Sequence, residues 1–233
     1  MTHAPSEPAP RNTIVVASGG LDSTVLSYML AAQGSALSLL SFNYGQRHQV
    51  ELEHAANIAC LLSSPHQTID ITGLAAVMTG SSLTDLTVPV PDGHYTDESM
   101  RATVVPNRNA IMLDIAVAAA VARRADAVAF GAHAGDHTIY PDCRPEFVEL
   151  FSSTARRANA GLLSDDFTVL APFLKQSKTD IVRIGVALGV PFEHTWSCYR
   201  GGDLHCGTCG TCTERREAFQ QSGFADPTVY ATV

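Results

Sequence analysis

The sequence predicts an α/β fold, in which a parallel five-stranded sheet carries helices on both faces and is followed by a small C-terminal metal-binding subdomain. Three observations predict it. Short apolar runs alternate with longer stretches of helical period, the pattern of a parallel sheet with crossover helices. The first run passes through a glycine-rich turn into a helix, which places a ligand at the carboxyl ends of the strands. Four cysteines gather near the end of the chain, in a polar stretch too short for a core of its own.

Residues 13–17 read as the first strand. A helix over 22–33 follows, with Val25, Leu26, Met29 and Leu30 on one face and Gly34 ending it. Residues 37–42 predict a second buried strand. Residues 47–62 predict a helix with Leu52, Ala55, Ala56, Ala59 and Leu62 on one stripe and Cys60 packed in the core. A third, alternating strand spans 66–71. Periodicity fades over 72–106, where Pro89, Pro91, Asp92 and Gly93 punctuate a stretch too long for an idle connector; it reads as a lid or substrate loop. Residues 109–124 are almost continuously apolar, with Asp114 the only charge before Arg123 and Arg124, and predict a buried helix. Strands at 127–130 and 167–170 flank a helix over 146–160. Ser177, Lys178, Thr179 and Asp180 make a capping box for a helix that bears Ile181, Ile184 and Leu188 and stops at Gly189.

A chain of 233 residues can bury one sizeable core with a small appendage. No apolar run both reaches 18 residues and lacks charge, so no membrane span is expected. The first 11 residues carry three prolines and no apolar core; they read as a disordered tail rather than a secretory signal, and the expected compartment is the cytoplasm. A net charge of −8 disfavours a nucleic-acid partner. Six cysteines in such a chain point to metal or thiol chemistry rather than disulfides.

Ser18, Gly19, Gly20, Leu21, Asp22, Ser23 and Thr24 form the turn between the first strand and its helix. Glycines permit positive φ and inward-pointing N–H groups, three hydroxyls add donors, and the helix aims its positive end at the same place. A plain turn capped by Asp22 or Ser23 would not require all of these groups. No Gly-Lys-Ser/Thr follows, which excludes a Walker A loop, and the three-glycine dinucleotide fingerprint is absent. A polyphosphate is the expected guest. Of the cysteines, Cys198, Cys206, Cys209 and Cys212 fit the four thiolates of a tetrahedral, structural zinc ion, with Gly207 and Gly210 turning the backbone between them. An iron–sulfur cluster is the rival, but ferredoxin spacing puts the fourth cysteine three residues on rather than upstream. His205 ranks below the four sulfurs as a ligand.

The run from Ser18 to Ser23 resembles the SGGxDS signature of the PP-loop ATP pyrophosphatases. Val105-Pro106-Asn107-Arg108-Asn109, Tyr140-Pro141-Asp142-Cys143-Arg144 and Thr195-Trp196-Ser197-Cys198-Tyr199 extend the likeness. Together with the loop and the cysteine set, they resemble the 7-cyano-7-deazaguanine synthase family, the queuosine branch of that superfamily. Where the family usually has glycine this chain has Asn107, the next best residue for a left-handed backbone position. Many members also carry Ser-Gly before the tyrosine, whereas this chain reads Thr138-Ile139.

The resemblance implies an adenine nucleotide alpha hydrolase-like fold and ATP-dependent conversion of 7-carboxy-7-deazaguanine and ammonia into the 7-nitrile. A PP-loop catalytic domain over 12–190 and a zinc subdomain over 191–233 follow from it. ATP would be bound by Ala17, Ser18, Gly19, Gly20, Leu21, Asp22, Ser23, Thr24, Val25, Leu26 and Ser27. Asp22, Ser23, Arg108 and Lys178 would act in catalysis, with Asp22 orienting Mg²⁺. Arg47 and Arg144 are further clamps for phosphate or carboxylate, and Asp136, Asp142 or Glu146 would accept the N–H donors of the deazaguanine edge. His133 and His137 are proton shuttles or structural histidines, and Cys143 reads as structural. The partners implied are small molecules, without nucleic acid or membrane, and a homodimer is compatible with the sequence. Two rivals are a tRNA-modifying PP-loop adenylating enzyme, which should carry a basic surface, and a non-catalytic ATP-binding zinc module.

Overall fold

Successive side chains of a parallel strand meet opposite helix layers, so both must be apolar. The computed structural model describes residues 9–94, 96–138 and 140–231; most of the expected tail, residues 1–8, lies outside these. The strands are β1 (Asn12–Val16), β2 (Ala36–Asn43), β3 (His66–Asp70), β4 (Ala127–Ala129) and β5 (Thr168–Leu170), all parallel in the order β3-β2-β1-β4-β5. The helices are α1 (Leu21–Ala32), α2 (Glu51–Leu61), α3 (Asp97–Arg101), α4 (Arg108–Arg123), α5 (Pro145–Ala158), α6 (Lys178–Ala187) and α7 (Gly210–Ser222). Ile14, Leu40 and Val128 pack with α4 and α5, whereas their neighbours Val15, Leu39 and Ala129 pack with α1, α2, α6 and α7. The expected five-stranded sheet with helices on both faces is therefore observed. Strand order reverses beside β1, which brings the loops after β1 and β4 together over a crevice at the strand ends.

Two helices differ from expectation in an informative way. α2 starts at Glu51 rather than residue 47, because Arg47 is drawn aside to donate to the carbonyls of Asp85 and Val88. Its buried stripe is Glu51, Ala55, Ile58 and Ala59, which leaves Ala56 and Cys60 exposed, so Cys60 is not a core residue. A charged residue belongs to the inward face, and that rotates the helix away from the purely apolar reading. α4 buries Met112, Leu113, Ala116, Val117 and Ala120 but exposes Asp114 and Ala118, so it is covered on one side only. Asn107, just before it, has φ of +55°, the left-handed conformation expected of an Asn standing in for glycine. The capping box of α6 is present, with Ser177 and Asp180 bonded reciprocally.

The 72–106 segment holds α3 and is stapled at two places ahead of that helix. Arg47 secures residues 85–88, and Asp92 pairs with Arg200 at 2.6 Å while bridging Cys209. α7 has no counterpart among the helices that the sequence pattern predicts. Its Ala218 and Phe219 bury against the layer containing α6, and this i, i+1 pair one turn after Arg215 carries the helical signal.

Gly19 adopts φ of +75°, and a Cβ there would lie 2.4 Å from the Glu51 carbonyl and 2.6 Å from the Ala55 nitrogen. α2 can approach the turn after β1 only because that side chain is missing. Gly19→Ala is expected to destabilise the protein by about 3 kcal/mol, combining left-handed strain with overpacking against backbone. An unchanged urea midpoint would count against this packing.

Candidate active site

The turn after β1 is shaped from within. Ser23 Oγ accepts from the Ser18 N–H at 3.2 Å and meets Ser18 Oγ at 3.2 Å, and the Gly20 N–H donates to Ser18 Oγ. Gly131, in the loop after β4, approaches so closely that a Cβ would lie 3.1 Å from the Ser23 nitrogen. Ser18, Gly20, Leu21 and Asp22 line the crevice, and Ala17 and Ser23 line its larger cavity. Thr24 Oγ1 is buried with no hydrogen-bond partner among the described residues. Val25 and Leu26 belong to the core, and Ser27 turns its hydroxyl back to the Ser23 carbonyl at 2.7 Å, so these three face away from the crevice.

A charged cluster sits beside this turn. Lys178 Nζ, at the start of α6, donates to Asp22 Oδ2 at 2.6 Å and lies 3.4 Å from Glu214 Oε2 on α7. Burial would raise the Asp22 carboxyl, but the Lys178 ammonium and other nearby cations outweigh it and hold the group below its ordinary value. Burial would likewise lower Lys178, yet Asp22, Glu214 and Asp136 push it up, so it stays charged. Asp22 Oδ1 has no hydrogen-bond partner among the described residues. Buried His133 accepts the Gly135 N–H on Nδ1 at 3.0 Å, so the proton of its neutral ring sits on Nε2, 3.7 Å from Asp136 and 3.9 Å from Glu214. That fixed tautomer suits a hydrogen-bond donor better than a proton shuttle. The His137 side chain lies outside the described residues.

Two adjoining cavities of about 150 and 210 Å³ share Ser18, Asp22, Glu51, Asp136 and Tyr199. Arg108, on α4, lines the larger one, donates to Tyr44 Oη at 3.3 Å and lies 5.7 Å from the centre of that ring. Burial opposes its charge, but Tyr44, Tyr199 and Tyr140 raise its pKa, leaving a permanent cation on the wall. Cys143 lines the same cavity and accepts from Asn109 Nδ2; burial and nearby carboxylates push its thiol up, which fits a structural role. Other anticipated residues lie elsewhere. Arg47 holds the 85–88 segment, Asp142 accepts from the Asn109 N–H at 3.3 Å, and Arg144 and Glu146 are exposed around the start of α5.

Glu51, Tyr44 and Glu214 line or abut the crevice although their sequence context singled out none of them. Burial pushes the Glu51 carboxyl up to about 7, only partly offset by Gln46 and Arg108. The folded state thus holds this proton more tightly than the unfolded chain, whose glutamate titrates near about 4.3. The associated stability is whole below about pH 4 and is lost as pH rises through about 7. Glu51→Gln should therefore stabilise the ligand-free protein by about 3 kcal/mol at pH 8 and hardly at pH 4. Equal urea midpoint shifts at both pH values would refute this.

The four cysteine sulfurs lie within 4.8 Å of one another, with Cys206 and Cys212 Sγ 3.9 Å apart. Backbone N–H groups of Cys206, Thr208 and Cys209 point at sulfur, as suits thiolates. Gly207 turns with φ of +79°, whereas Gly210 opens α7. His205 is turned away: its Nε2 accepts the Ser197 N–H at 3.0 Å. The knot reaches the crevice directly, because the Trp196 N–H donates to the Gly19 carbonyl at 2.9 Å. Arg215, 1% exposed, ties α7 to Thr195, Ser197 and Asp226.

Residues 12–223 match the family model described as queuosine biosynthesis protein QueC. The chain is 56% identical over 218 residues to a 7-cyano-7-deazaguanine synthase of Rhizobium johnstonii, covering 94% of this chain and 91% of that one. It is 55% identical to the protein of the same name from Brucella anthropi, covering 94% and 93%. Among solved structures it is similar to a 4-thiouridine synthetase in complex with RNA and bound ATP, at 17% identity and a TM-score of 0.51, covering 91% of this chain and 50% of that chain. This last likeness concerns the fold alone. The family resemblance carried by the sequence motifs is borne out.

Proposed function

The chain belongs to the queuosine biosynthesis protein QueC family, and on that premise we propose how its crevice turns 7-carboxy-7-deazaguanine, ammonia and ATP into 7-cyano-7-deazaguanine. The observation that carries this reading is the pairing of Lys178 with Asp22 at the mouth of the glycine-and-hydroxyl turn. It supplies a fixed cation where the departing pyrophosphate gathers charge. A carboxylate oxygen of the acid attacks the α-phosphorus of ATP, pyrophosphate leaves, and an acyl adenylate forms. Ammonia adds at the activated carbon and AMP departs, giving the amide. A second activation at the amide oxygen, followed by loss of protons from nitrogen and departure of AMP, gives the nitrile.

Backbone N–H groups of the turn and Lys178 bind the outer phosphates, and Arg108 meets the acid. The unpartnered Asp22 Oδ1 fits a role as Mg²⁺ ligand, and Mg²⁺ would offset phosphate charge. The cysteine set fits zinc best. A Zn–S bond of about 2.3 Å places tetrahedral sulfurs roughly 3.8 Å apart, whereas a four-iron cluster spreads its thiolates farther. With four sulfurs the metal would have no open position for water, so its role is structural. No helix among the described residues is long and apolar enough to cross a membrane. Small molecules in the cytoplasm, with no nucleic-acid partner, remain the proposed setting, and a homodimer is compatible with it.

Mass spectrometry of reactions containing the acid, ammonia and Mg-ATP tests the proposal. The nitrile should appear with AMP and pyrophosphate. Release of ADP, or AMP formation that needs tRNA in place of the acid, would overturn it.

A further inference from the structure

A flat heterocycle entering the larger cavity meets a carboxylate that the phosphate chemistry does not use. Glu51 lies on the wall shared by both cavities and is 9% exposed. It is aimed from behind. Gln46 Nε2 donates to Glu51 Oε1 and to the Phe42 carbonyl, both at 2.9 Å, while Gln46 Oε1 accepts the Tyr44 N–H at 2.9 Å. The second oxygen, Oε2, has His48 Nε2 at 3.5 Å, and burial keeps that imidazole neutral. A buried carboxylate whose hydrogen-bond partner is neutral, and whose burial the nearby Arg108 charge offsets only in part, is costly, and a glutamine would satisfy the same scaffold. Helix polarity does not explain it either, since exposed Glu53 supplies negative charge to the same first turn.

The chemistry of the two bases decides what this carboxylate receives. The edge of a guanine-type ring presents N1–H beside an exocyclic amine, two coplanar donors at the spacing of two carboxylate oxygens. Adenine instead sets an acceptor nitrogen beside its amine, so ATP would meet Glu51 with repulsion. The other carboxylates are engaged or distant: Asp136 Oδ2 accepts the His133 N–H at 3.0 Å, and Asp142 accepts from Asn109. We propose that Glu51 is the specificity-determining acceptor for the pyrimidine edge of 7-carboxy-7-deazaguanine, with Gln46 as its positioning residue. This rests on the function proposed above. Arg108 lines the same cavity and offers a cation to the acid group of that bicycle.

The test compares wild type and Glu51→Gln with two acids, 7-carboxy-7-deazaguanine and its analogue lacking the exocyclic amine. Wild-type formation of the nitrile is the control for the function itself, and its failure would remove that reading rather than this one. The variant should raise KM for the natural acid by about 30-fold to 100-fold, leave KM for ATP within about twofold, and lose most of the preference over the analogue. It should also melt no lower than wild type at pH 8, which a purely structural glutamate would not allow. Unchanged discrimination between the two acids overturns the proposal. Should the variant fail to fold, melting of the wild-type protein with 7-deazaguanine and with 7-deazahypoxanthine decides: the amine-bearing base should give the larger shift, and equal shifts refute it.

Discussion

Lys178→Met is expected to lower AMP release from the acid, ammonia and Mg-ATP by about a thousandfold, the loss typical of removing a preorganised group from a developing anion. The ammonium is locked in place by Asp22 at 2.6 Å and Glu214 at 3.4 Å, so no reorientation is needed when pyrophosphate leaves. Its loss also strips Asp22 of its nearest counter-charge, and the carboxyl should then titrate higher. Pairing Lys178→Met with Asp22→Asn separates the two effects, because a double mutant less impaired than the sum reveals their coupling. AMP release within tenfold of wild type, in a variant that still melts cooperatively, would remove Lys178 from the phosphate chemistry.

Cys209→Ser should be more disruptive to the protein as a whole. Cys209 sits in the sulfur cluster, bridges Asp92 of the 72–106 segment and precedes the first turn of α7. Structural zinc contributes about 10 to 16 kcal/mol to folding in zinc-finger peptides, so even a fraction of that exceeds the stability of a typical domain segment. Metal content, solubility and turnover should fall together. Turnover falls because Trp196, two residues before Cys198, holds the Gly19 carbonyl, and because Glu214 lies two residues beyond Cys212. A soluble, metal-free variant with wild-type melting and turnover would contradict this.

Much of the molecule was legible in the sequence. The inner strands announce themselves because both faces of the sheet are buried there, unlike at the edge strand β3, and the turn after β1 is unusual in composition as well as position. The cysteine spacing pointed to the cluster that forms. Residues recruited by tertiary approach were not legible. Glu51 looks like an ordinary acidic residue at a helix start, and only its packing against Gln46 turns it inward. Glu214 lies in a polar stretch, and nothing local shows that α7 will lay it beside Lys178. Arg47, conversely, is expected as a clamp for phosphate or carboxylate yet is consumed by loop carbonyls at Asp85 and Val88.

The bond from Trp196 to Gly19 spans most of the polypeptide. Among the described residues every strand is complete by Leu170, so a nascent chain halted before residue 196 contains the five strands of the sheet yet lacks the group that closes on the first turn. Because a polypeptide emerges from its N-terminus onward, the phosphate turn waits for nearly the last segment to be synthesised before it is clasped. A truncated translation product would then lack both the clasp on that turn and the share of the core that α7 supplies through Ala218 and Phe219, and would be unable to consume ATP.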